Sequence, residues 1–135
     1  MKVLKMVLLA GMVLAVVGLI IKSDNDEDAN SKGEASGAPQ NVSVEGGKQV
    51  VTIAVHEGYS PGTTLAKAGI PTVIRFVTSS TFDCSAAIRI PSLNLFQTLP
   101  PSGSFDANIG SPLAGTLVGT CGMGMYQFRV QFQNT

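Results

Sequence analysis

Hydrophobic and polar positions divide this chain into three regimes. From Val7 to Ile21 every residue is apolar or glycine. From Asp24 to about Gly47 the chain is rich in Asp, Asn, Ser, Gly, Glu and Ala, with almost nothing to bury. From Lys48 to Thr135, short apolar runs alternate with glycine, proline and small polar residues. The first regime predicts one N-terminal transmembrane helix within residues 1–22, long enough to span if Lys5 snorkels to the interface. Lys2 and Lys5 before an apolar run also match the layout of a signal peptide. However, Lys22-Ser23-Asp24 follows without a small-x-small cleavage site, and Met12 stands where a lipid-attachment cysteine would follow Leu9-Ala10-Gly11. An uncleaved anchor is the expectation. The second regime, residues 23–47, reads as a flexible polar linker.

The third regime, residues 48–135, predicts strands throughout. Gln49 to Val55 and Pro71 to Val77 are dense in β-formers and end in the turn residues Glu57-Gly58 and Thr78-Ser79-Ser80. Further short strands are expected at Thr63–Lys67, Ala86–Ile90, Phe105–Ile109, Thr116–Thr120 and Tyr126–Phe132. In the last, Tyr126, Phe128, Val130 and Phe132 alternate with Gln127, Arg129 and Gln131, as in a half-buried strand. The pattern leaves Leu93–Thr98 open between a helical turn and a strand. Seven or eight such segments with regular turn signals predict an all-β fold, a Greek-key β-sandwich.

Composition narrows this further. With anchor and linker set aside, the domain is small and has a modest core, the class that often gains stability from a metal or a disulfide. Formal net charge is zero and there is no basic patch, which argues against nucleic acid as a partner.

Sulfur is where the chemistry concentrates. Cys121-Gly122-Met123-Gly124-Met125 sets a thiol and two thioethers at alternate positions, separated by glycine. In an extended segment the three would share one face. Soft donors of this kind select Cu(I). The only other cysteine is Cys84, and the remaining methionines, Met1, Met6 and Met12, lie in the N-terminal segment. Singly, Cys121 reads as a small buried hydrophobe, and Met123 and Met125 as core fillers. Together, with glycines that fill no core, they read as a metal site. A Cys84–Cys121 disulfide is the rival, since closing a 37-residue separation contributes roughly 4 kcal/mol in the chain-entropy model. The two readings are compatible, because thiols close enough to bridge can also share copper. His56, the only histidine, reads as a surface residue at a strand end. Tyr59-Ser60-Pro61 reads as a turn with its ring on the sandwich, and Asp83 as a turn carboxylate beside Cys84.

The order of these pieces is similar to that of a cupredoxin. Tyr59-x-Pro61, then Gly69-Ile-Pro-Thr-Val-Ile-Arg-Phe76, Cys84 before a strand ending in Ile90-Pro91, Leu99-Pro100, Gly115 and the Cys121–Met125 loop carry the resemblance, over about residues 48 to 133. Blue-copper sites use two imidazoles, one thiolate and a weak axial thioether. Here sulfur stands at both imidazole positions, as Cys84 and Met123. The resemblance is to the membrane-anchored Cu(I) chaperones of Gram-positive bacteria (CupA-type) and to the cupredoxin domains of copper-exporting P-type ATPases. It implies one or two Cu(I) ions, with Cys84 and Cys121 as shared thiolates of a tighter position. Met123 and Met125 would complete a weaker, more exposed one.

The function so implied is a monomeric copper chaperone in the plasma membrane that passes Cu(I) to a copper-exporting P-type ATPase. It is not an enzyme, since no bond of an organic substrate changes. The alternatives are a disulfide-stapled surface binding module without metal, passive copper storage, and electron transfer, which the missing imidazoles disfavour. Lys2 and Lys5 weigh against Lys22 and Lys32 too evenly to orient the anchor, so the side of the membrane stays open.

Overall fold

Alternation along Lys48–Val55 puts Val51, Ile53 and Val55 on one face, all buried. The same period in Gln127–Gln133 buries Phe128, Val130 and Phe132. The computed structural model describes residues 40–135. The expected membrane helix of residues 1–22 and the linker through residue 39 lie outside the described residues. Among the described residues no helix is long and apolar enough to cross a membrane.

The strands are β1 (Val42–Glu45), β2 (Lys48–Val55), β3 (Tyr59–Ser60), β4 (Thr63–Lys67), β5 (Thr72–Thr78), β6 (Ala87–Ile90), β7 (Leu95–Thr98), β8 (Gly103–Asn108), β9 (Gly115–Cys121) and β10 (Gln127–Gln133). Two 3₁₀ turns, Cys84–Ala86 and Pro91–Leu93, flank β6. The undecided stretch 93–98 divides between the second turn and β7. Asn94 between them takes a left-handed conformation, φ 49°, which asparagine tolerates better than most residues.

The described residues form an all-β sandwich of two sheets. One runs β1-β2-β5-β8, with β3 also on β2; the other runs β4-β10-β9-β6-β7. Two pairings are parallel, β2 with β5 and β4 with β10. Parallel neighbours need a crossover between them. Here the chain leaves the first sheet after β3, adds β4 to the second sheet, and returns as β5. The core between the sheets comprises Val51, Ile53, Val55, Ile74, Phe76, Ile88, Ile90, Phe128, Val130 and Phe132, with Leu99 and Ala107.

One strand falls ahead of the expected boundary at Lys48. Strand β1 pairs antiparallel with β2, Glu45 opposite Lys48. Gly46 and Gly47 join them, both at positive φ, 56° and 77°, as a two-residue type I′ hairpin turn requires. Asn41 secures the start: its side-chain amide donates to Thr52 O (3.1 Å) and to Thr64 Oγ1 (2.7 Å), linking the two sheets. At the start of β2, buried Gln49 forms a second link. Its side chain donates to Lys67 O and Thr72 Oγ1, both 3.0 Å, and accepts from Lys67 N at 2.9 Å. Every polar atom of that buried amide is thereby satisfied.

Candidate metal centre

Cys121 is the last residue of β9, fully buried, and paired across the sheet with Ile88 of β6. Cys84 opens the 3₁₀ turn that leads into β6. The adjacency of β6 and β9 therefore brings the two cysteines together. Their sulfurs are 3.5 Å apart and both are free thiols.

Two neighbours hold the Cys84 turn. Asp83 caps it, one carboxylate oxygen accepting from Ser85 N at 2.9 Å and the other from Glu57 N at 3.1 Å. On the other side the Tyr59 hydroxyl donates to Ser85 O at 3.0 Å. Glu57 and Tyr59 lie in and after the turn that ends β2, so the sulfur pair sits at the end of the sandwich where β2 finishes. Hydrogen bonding to Ser85 brings the Asp83 carboxyl down to about 2 against the opposition of burial, and the Glu57 amide assists. The Ser85 hydroxyl itself is buried and has no hydrogen-bond partner among the described residues. The sequence offered only a carboxylate next to a cysteine. Its role as a clamp depends on Glu57, 26 residues earlier, and could not be read locally.

The Cys121–Met125 loop differs from the expected extended segment. Strand β9 stops at Cys121, and residues 122–125 form a tight turn. Gly124 N donates to Cys121 O (3.0 Å), Cys121 N donates to Tyr126 O (2.9 Å), and Gly124 takes φ 74°. The glycines permit that turn, whereas extension would leave the hairpin between β9 and β10 unclosed. The alternation argument for a shared face therefore fails. What the turn does instead is aim backbone amides at Cys121. Tyr126 N donates to Cys121 Sγ at 3.4 Å. Burial opposes ionisation of Cys121, but the amides of Tyr126, Met123 and Met125 and the Cys84 thiol outweigh it and lower its pKa. Cys84 is pushed up, first by its hydrogen bond to Cys121, then by burial and the neighbouring charges. The shared proton belongs on Cys84, and Cys121 carries the thiolate character.

Met123 and Met125 stand out into solvent, 78 % and 67 % exposed, so neither is a core filler. His56 is exposed at the end of β2, as expected of a surface residue. Tyr59 lies against the core, edge-on to Phe128 with ring centroids 5.0 Å apart. Burial, then the two cysteines and Asp83, raise the pKa of its phenol and keep it protonated. Among the described residues no group of three or more His, Cys, Asp or Glu side chains gathers as a metal site. The donors on offer here are two thiols and two thioethers.

No protein-family model matches the chain, and no curated protein matches it in sequence. Its fold is similar to solved structures. One is the metal binding domain of the Cu(I)-exporting P-type ATPase CopA of Streptococcus pneumoniae D39, determined with Cu(I). The TM-score is 0.61 at 21 % identity, covering 69 % of this chain and 93 % of that one. Another is a copper binding protein solved by NMR in the apo form, with a TM-score of 0.63 at 24 % identity, covering 70 % and 96 %. The likeness shows a shared fold, the two-sheet β-sandwich.

Proposed function

We propose that this chain is a membrane-anchored copper chaperone that binds Cu(I) through Cys84, Cys121, Met123 and Met125 and passes it to a copper-exporting P-type ATPase. The observation that carries the reading is the pair of free thiols 3.5 Å apart at the end of the sandwich, beside a turn bearing two solvent-facing thioethers. Taking the roughly 2.3 Å of a zinc–thiolate bond as a guide, two sulfurs on one tetrahedral ion lie about 3.8 Å apart. The observed separation needs little adjustment to reach that value. The donor set is all sulfur, which favours Cu(I) over hard and most divalent ions.

Binding releases the Cys84 proton, because thiolates are the ligands. The amides around Cys121 already favour its charged form. Exposed methionines give a partner's thiolate or thioether a place to attack before the cysteines let go, so transfer by ligand exchange needs no fully stripped ion. The copper-binding domains that share this fold, one of them from a Cu(I)-exporting ATPase, support a partner of that class. The apolar segment Val7–Ile21 supports a plasma-membrane anchor, and a tether would raise the local concentration of the domain near such a partner. One or two Cu(I) ions, carried by a monomer with no catalytic step, complete the reading.

The test is an anaerobic Cu(I) titration of the reduced full chain in mild detergent against a chromophoric competitor. Cys84→Ser or Cys121→Ser is expected to weaken the tight equivalent by on the order of 100-fold, about 2.7 kcal/mol. Met123→Ala with Met125→Ala is expected to remove only a weaker equivalent. A wild-type chain that does not compete for Cu(I) would reject the copper reading and leave the metal-free binding module as the better account.

A further inference from the structure

We infer that Cys84 and Cys121 form an attacking and resolving thiol pair that exchanges with small disulfides and closes reversibly into an intramolecular disulfide. Three features of the sulfur pair carry this. The sulfurs are 3.5 Å apart and unbridged, so bond formation requires an approach of about 1.5 Å to reach the usual 2.05 Å. The two thiols differ in access: Cys84 is partly exposed, whereas Cys121 is fully buried. The Cys84 turn is tied down on both sides by Asp83 and Tyr59, which keeps the two sulfurs facing each other rather than letting Cys84 swing away.

These differences set an order of events. A disulfide such as oxidised glutathione reaches only Cys84. Cys84 passes its proton to the Cys121 sulfur 3.5 Å away and attacks one sulfur of glutathione disulfide; a mixed disulfide forms, and one glutathione leaves as its thiolate, taking that proton back from Cys121. The Cys121 sulfur then attacks Cys84 Sγ, the Cys84–Cys121 bond forms, and the second glutathione leaves. The protein loses two electrons and two protons, and glutathione disulfide gains them as two thiols. The return reaction needs only a reducing thiol. On the reading that both thiolates hold Cu(I), closure withdraws both ligands at once, leaving only thioethers. The exchange chemistry itself does not depend on that reading.

The test uses the full chain in mild detergent, copper-free and fully reduced, exposed to oxidised glutathione and followed by intact mass. Cys84 and Cys121 are the only cysteines, so every mass change is assignable. Wild type is expected to lose two hydrogen atoms and retain no glutathione. Cys121→Ser is expected to stop at one bound glutathione, with no resolving thiol to expel it. Cys84→Ser is expected to react at least about tenfold more slowly than Cys121→Ser, and to catch up in urea, because its remaining thiol is buried. Alkylation of wild type at early times, followed by peptide mapping, provides a readout free of substitutions and should find Cys84 modified first. Wild type that keeps both thiols, or is modified first at Cys121, overturns the inference. Because no copper is present, failure of the copper reading would leave this result standing.

Discussion

Gly119 shows how much a single position constrains the site. It lies opposite Phe128 in the β9–β10 pairing, and a Cβ there would overlap the Phe128 ring. That ring packs edge-on against both Phe76 (5.4 Å) and Tyr59 (5.0 Å), and Tyr59 in turn holds the Cys84 turn through Ser85 O. Gly119→Ala is therefore expected to overpack the core and destabilise the fold by about 1–3 kcal/mol, read by chemical denaturation. Asp83 acts by charge instead. Its folded pKa of about 2 lies below its ordinary 3.8, so the stabilisation it provides is present above about pH 4 and is lost as pH falls through 2. Asp83→Asn should lower the melting temperature near neutrality, with a gap from wild type that closes as pH falls from 5 to 2. A gap independent of pH would mean that the carboxylate contributes by shape and not by charge. The soft-donor chemistry of the candidate site was legible in the sequence as sulfur spaced by glycine. The Asp83 clamp was not, because its partner Glu57 is near only after folding.

At the scale of elements, two turns decide what the strands can do. The Gly46-Gly47 turn recruits β1 to the edge of β2, and the chain's signal for it was a Gly-Gly pair between valine-bearing segments. Surrounding acidic and small residues masked that signal as linker. Residues 48–135 are expected to be less stable to urea than residues 40–135, by roughly 2–4 kcal/mol. That reflects the loss of the Asn41 bonds and the β1 ladder at about 1 kcal/mol per hydrogen bond, together with the exposed Arg75–Glu45 pair (3.1 Å), which adds little. Equal stability would show that β1 is dispensable to the sandwich. The second turn, at residues 122–125, closes the β9–β10 hairpin and turns amides toward Cys121. Alternation alone suggested an extended ligand strip. Glycine allows both forms, and hairpin closure with β10 selects the turn.

Across the whole molecule, the strand content of residues 48–135 was readable from period-two alternation, because a half-buried strand must place apolar groups on one face. The all-β class of this region, most strand positions, the two-sheet arrangement and the supply of soft donors at Cys84, Cys121, Met123 and Met125 are therefore written in the residue pattern. That pattern also carries the apolar segment Val7–Ile21 on which the anchor proposal rests. Which strands become neighbours emerges only on folding: β2 pairs in parallel with β5, β4 crosses to β10, and β6 lies beside β9. Cys84 and Cys121 meet through that last adjacency. The physical reason is that alternation records which face of a strand is buried but not which strand lies next to it. Pairing is selected by the packing of both sheets at once, and a site built across strands exists only when that packing is complete.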